Sequence, residues 1–171
     1  HITNKAQLIG FMHAVNGIDG VLTPNNFKGK TVYLDCDILL NDTADWQYWG
    51  KYTYAESWTP IGTGSYYMDP VHPFLGIFDG QGHVISGLYI DAEENFKAIA
   101  NHYEDGLFGY VGAKGEATEI RNLGVQASVA DMRVYTLNVQ TEAGLLVGVL
   151  RDGTISQCFT HGKIIVNAKS N

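Results

Sequence analysis

The apolar positions of this chain change their period along its length. From Thr3 to Asn16, apolar residues at Ala6, Leu8, Ile9, Phe11, Met12 and Val15 follow helical i, i+3, i+4 spacing. Thr3 or Asn4 is placed to cap this segment and Asn16-Gly17 to end it, so a helix is predicted over 3–16. Lys30 to Leu40 alternates instead, with Val32, Leu34, Cys36 and Ile38 on one side and Tyr33, Asp35 and Asp37 on the other. That is the period of a first strand over 30–40. Residues 41–68 keep neither period and gather aromatic side chains, including all three tryptophans, Trp46, Trp49 and Trp58.

Beyond Pro73 the apolar runs repeat. VISGLYI (Val84 to Ile90), EIRNLGV (Glu119 to Val125) and TISQCFT (Thr154 to Thr160) begin 35 residues apart. This interval places Ile85, Ile120 and Ile155 in one column and Leu88, Leu123 and Cys158 in another. A preceding series, PFLGIF, GLFGYV and LLVGVL, aligns on Gly76, Gly109 and Gly148. Such a period predicts an all-β parallel β-helix, a solenoid of about four coils, closed at its amino-terminal end by the 3–16 helix. On this reading residues 1–171 form a single module: cap helix 3–16, strand 30–40, aromatic insertion 41–68 and repeats over 73–165.

Composition narrows the function classes. Eleven Lys plus Arg against 18 Asp plus Glu give a net charge of -7, which repels phosphate backbones, so no nucleic-acid partner is expected. No run of 18 consecutive apolar residues is present, and no membrane insertion by this segment is expected. Twenty glycines suit many tight turns between short strands. Cys36 and Cys158 belong to no CxxC pair, and Cys158 shares a column with leucines, as a small core hydrophobe would.

Candidate chemistry is sparse. Trp46, Tyr48, Trp49, Tyr52 and Tyr54 have faces that stack on sugar rings and polar tips that bond hydroxyls, so the insertion is a candidate glycan platform. Plain packing of a long loop against the module is the alternative for the same residues, and Trp58 reads as core. Asp35 and Asp37 share a strand face at a separation that a glycosidase carboxylate pair would tolerate, but solvated strand-face acids are common. The histidines carry no HExxH or other ligand spacing, and no GxSxG elbow is present. The oxygen-rich run Asp91, Glu93, Glu94 and Asn95 lacks EF-hand spacing. No catalytic residue, metal or cofactor is assigned.

PFLGIFDGQGHVISGLYI (Pro73 to Ile90), GLFGYVG (Gly106 to Gly112), IRNLGV (Ile120 to Val125), AGLLVG (Ala143 to Gly148) and GTISQCFTHGKI (Gly153 to Ile164) together resemble the GLUG-type repeats of bacterial secreted and surface proteins. The lead-in, ITNKAQLIGFMHAVN, GKTVYLDCDILL and SWTPIG, fits the same family, whereas the insertion between Leu40 and Trp58 is longer than its usual link. The family includes adhesin-like proteins and non-catalytic regions similar to those of immunoglobulin A metallopeptidases. The resemblance implies that the parallel β-helix is right-handed, and that it is a non-enzymatic extracellular or surface-attached module for adhesion or ligand display, within a larger surface protein. Its partner would be a glycan or a host surface protein, and a structural spacer or accessory domain of a larger enzyme is the alternative.

Overall fold

Asn4 opens the amino-terminal helix: its side-chain oxygen accepts the Gln7 backbone N–H at 2.9 Å, satisfying one of the donors that a first turn leaves over. The helix runs Lys5–Asn16 and stops at Gly17, whose φ of +79° and N–H bond to the His13 carbonyl form the carboxy-terminal cap. A Cβ at Gly17 would stand 2.6 Å from the Pro24 ring, so the position is closed to larger residues in space as well as in backbone angle. The buried face consists of Leu8, Phe11, Met12 and Val15. Phe11 meets Phe27, Phe74 and Phe78 at centroid distances of 5.0, 5.7 and 5.8 Å, which joins the helix to the centre of the core.

The computed structural model describes residues 1–50, 53, 55–65, 68–94, 104–133 and 142–166. Its strands are short and fall into separate sheets. A four-stranded parallel sheet takes Thr31–Tyr33, Ile77–Asp79, Glu119–Arg121 and Thr154–Ser156 in that order. A five-stranded parallel sheet joins Ile38–Leu39, Val84–Ser86, Gly124–Asp131 and Phe159–Ile165, with Tyr89–Asp91 also paired to Gly124–Asp131. Two parallel pairs, Phe108–Val111 with Val147–Leu150 and Glu104–Asp105 with Glu142–Ala143, lie apart from these. Thr63–Ser65 and Met68–His72 form an antiparallel hairpin.

The expectation of an all-β, right-handed parallel β-helix of about four coils is therefore corrected. The architecture is a set of small mixed sheets with a half-barrel curl, accompanied by helical segments. The repeat columns explain the difference. Ile120 does pair with Ile155, but its other neighbour is Phe78, not Ile85. Ile85 belongs to the other large sheet, opposite Val125 and Ile38. The 35-residue interval thus holds between Glu119 and Thr154 and between Gly124 and Phe159, while earlier strands pair at longer and unequal intervals. Gly109 and Gly148 are matched between paired strands, but Gly76 packs against the Phe27 and Lys30 carbonyls.

The alternating segment 30–40 is likewise divided. Thr31–Tyr33 and Ile38–Leu39 enter different sheets, with a bend at Cys36 between them. Val32, Leu34 and Ile38 are buried all the same, because both sheets face the common core. That core holds Phe74, Phe78, Phe108, Ile85, Leu88 and Ile120, all fully buried, and burial of each large apolar side chain contributes roughly 1.5–3 kcal/mol.

Candidate functional site

The insertion begins with Asn41, whose side chain donates to the Glu56 and Gly87 carbonyls and accepts the Glu56 N–H, closing the base of the excursion. A single 3-10 turn, Trp46–Tyr48, follows and lies over the outer side of the five-stranded sheet. Trp49 points inward and is 2% exposed. Its ring meets Tyr89 edge-on at 5.9 Å beside fully buried Val129, and its indole N–H donates to Asp45 Oδ1 at 3.2 Å. Trp49 is therefore a packing residue, holding the turn to the sheet.

Trp46 is half-buried and stands edge-on to His161 at 5.6 Å, while Tyr48 is 57% exposed. Lys163 Nζ donates to the Gln47 carbonyl, and the Arg133 guanidinium bridges the Gly50 carbonyl and Asp131. Three attachments thus fix the turn while leaving Tyr48 and part of Trp46 in solvent. Tyr52 and Tyr54 lie outside the described residues. Trp58 is buried, its indole N–H donating to the Leu107 carbonyl at 3.1 Å.

Asp35 and Asp37 are both held by local partners. Asp35 takes the Gln81 amide at 2.6 Å on one oxygen and the His1 ring at 2.7 Å on the other. Asp37 accepts the Val84 backbone N–H at 2.9 Å and lies 3.1 Å from the His83 ring. The Val84 N–H and the His83 ring hold the Asp37 carboxyl below the usual range, outweighing slight desolvation, so it stays ionised where a general acid would need its proton. At Cys158, burial pushes the thiol up against the opposing Leu123 and Ser156 backbone bonds, with the Glu119 charge adding to burial; this is the reverse of an activated nucleophile. Among the described residues no three His, Cys, Asp or Glu side chains gather to hold a metal, and no helix is long and apolar enough to cross a membrane.

A cleft of about 490 Å³ opens where the chain turns from the four-stranded to the five-stranded sheet. Asp79, Gln81, Asn122, Gly124, Gln157 and Phe159 line it. Asp79 ends its strand nearly buried and accepts from Asn122 Nδ2 at 3.0 Å, the Gln81 N–H at 2.9 Å and Arg121 Nε at 2.9 Å. Burial pushes the Asp79 carboxyl up, but these three donors and the Arg121 charge together bring it below its ordinary value. Arg121 also pairs with Glu119 at 2.9 Å, so its guanidinium is shared between two carboxylates. A second recess of about 250 Å³ lies between the amino-terminal helix and the base of the insertion, with Lys5 bonded across it to Glu56 at 3.0 Å.

Gln81, Asn122 and Gln157 are not among the candidates read from the sequence. A signal was present in IFDGQG, EIRNLG and TISQCF: an amide side chain follows each of the last three strands of the four-stranded sheet. The chain matches no protein-family model, no curated protein and no solved structure.

Proposed function

We propose that this chain is a non-catalytic module of a bacterial surface protein, used for adhesion or ligand display, and that it contacts a glycan through the outer aromatics of the insertion. The observation that carries the reading is the division of labour among those aromatics. Trp49 is spent on packing, and the rigid turn it anchors leaves Tyr48 and one side of Trp46 in solvent. Held aromatic faces with a polar tip stack on sugar rings at little conformational cost. The GLUG-like stretches support an extracellular setting within a larger protein.

A glycan array probed with the wild-type protein and with Trp46→Ala/Tyr48→Ala tests the proposal. Binding by the wild type that falls by about tenfold or more in the folded double variant is expected; equal binding by both overturns it. A second reading, a structural spacer or accessory domain of a larger surface protease, is favoured by Thr154–Ser156 and Phe159–Ile165, each of which ends its sheet among the described residues. The backbone groups of such an end strand are suited to receive a neighbouring segment. That reading predicts a folded protein that binds nothing on the array.

A further inference from the structure

We infer that the cleft along Gln81, Asn122 and Gln157, continued by the Phe159 ring, is a second binding site, and that its ligand is an uncharged, extended, hydroxyl-rich polymer chain. Each of these three residues has a left-handed backbone, with φ of +53°, +52° and +52°. Glycine would occupy such positions without strain, yet an amide side chain stands at all three. The turns are joined directly: the Gly82 N–H donates to the Asn122 carbonyl at 2.8 Å, and the Asn122 N–H to the Ser156 carbonyl at 3.1 Å. Their amides therefore follow one another across hydrogen-bonded chain segments about 4.8 Å apart, comparable to one pyranose unit of a polysaccharide.

The amides retain hydrogen-bonding capacity. Asn122 spends its N–H₂ on Asp79, and Gln81 spends its own on the Leu34 carbonyl and Asp35, leaving both side-chain oxygens as acceptors. The Gln157 amide makes no hydrogen bond among the described residues. Gln157 can both donate and accept, as a hydroxyl does, and the Gln81 and Asn122 oxygens can accept from hydroxyls. Charge points the same way. Arg121, the cation placed to meet an anion here, is already bound by Asp79 and Glu119, and the chain carries a net charge of -7.

Phe159 extends the site. Gly124 lies beneath its ring, where a Cβ would come within 2.5 Å, and the ring is 51% exposed. Two residues on, His161 lies on the same outward side and meets Trp46. The amide row runs across the strands to Gln157, and Phe159, His161 and Trp46 continue from it along the last strand, a bent path that suits an extended chain and not a single terminal sugar. The ligand class rests on the display reading above; the site does not.

The test is affinity electrophoresis in gels containing hydroxyethylcellulose, xylan or galactomannan, with alginate as the anionic probe. Wild type, Phe159→Ala, Gln157→Ala and Trp46→Ala are run side by side, with thermal melts to show folding. Retardation of the wild type by at least one neutral polymer and not by alginate is expected, with apparent affinity falling about tenfold in Phe159→Ala and severalfold in Gln157→Ala. Gln157 is an exposed turn residue, so its variant reports on the cleft even if Phe159→Ala loosens the edge strand. Retardation that weakens in Trp46→Ala but not in Phe159→Ala or Gln157→Ala overturns the cleft and leaves the display reading standing. Retardation by alginate alone overturns the uncharged ligand, and no retardation of the wild type by any polymer overturns the cleft as a polymer site, whatever the glycan array shows for the insertion.

Discussion

The two ends of this molecule use similar side chains to different effect. At the amino-terminal end the helix Lys5–Asn16 lies over the core, and Leu8 and Val15 are wholly buried. At the carboxy-terminal end Ile155, Phe159 and Ile164 are 40%, 51% and 46% exposed. The sharpest contrast is between direct sheet partners. Ile120 lies between Phe78 and Ile155 and is fully buried, whereas among the described residues Ile155 has a sheet partner only in Ile120. Residue type, strand position and facing are the same; only the neighbour differs. Burial here is a property of what lies alongside a strand, and among the described residues the last strands have a neighbour on one side. Gln157, Phe159 and His161, the groups on which the proposed binding strip depends, all belong to this end.

Several variants would break or sharpen that contrast. The largest effect is expected inside: Phe78→Ala, which removes ring contacts to Phe11 and Phe108, should cost about 3–5 kcal/mol in urea unfolding, and Ile120→Ala about 2–5 kcal/mol. Ile155→Ala should cost about 1 kcal/mol, and a loss equal to that of Ile120→Ala would erase the distinction between the ends. Within the insertion the same logic separates neighbours in sequence. Trp49→Ala should cost about 3 kcal/mol or more, whereas Tyr48→Ala should stay within about 0.5 kcal/mol while weakening glycan binding.

The smallest effect is electrostatic and confined to acid. Asp79 has a lowered carboxyl pKa in the folded state, because Asn122, Gln81 and Arg121 outweigh its burial. Its contribution is complete above the unfolded value of about 3.9 and is lost as pH falls below it towards the folded value. Melting temperature followed from pH 6 to pH 3 should therefore drop less steeply in Asp79→Asn than in the wild type. Parallel curves would remove Asp79 from the acid response.

Part of this arrangement was legible in the residues alone. The helix could be read from its apolar spacing and from Asn4, because both signals are local. The pairing of Ile120 with Ile155 could be read because the two strands lie one constant interval apart. Ile85 was misplaced because VIS resembles EIR and TIS in its alternation, and any inward-facing strand of either sheet carries that alternation; IFD is the true partner of EIR. The parallel β-helix expectation came from extending that one interval over the whole chain. Nothing in the spelling of the insertion separates Trp49 from Trp46, since each is an aromatic in an irregular segment and only the docked turn decides which ring faces Tyr89. The amide row escaped notice because Gln81 sits in a longer turn than Asn122 and Gln157, so the three do not align at a fixed period.

Native-state hydrogen exchange, read over Glu119–Asp131 and over Thr154–Ile165, tests the contrast between the ends most directly. The account predicts that the Glu119–Arg121 amides exchange on the order of tenfold or more slowly than those of Thr154–Ser156, since among the described residues the former strand has a neighbour on both sides and the latter on one. Equal protection of the two strands would contradict it.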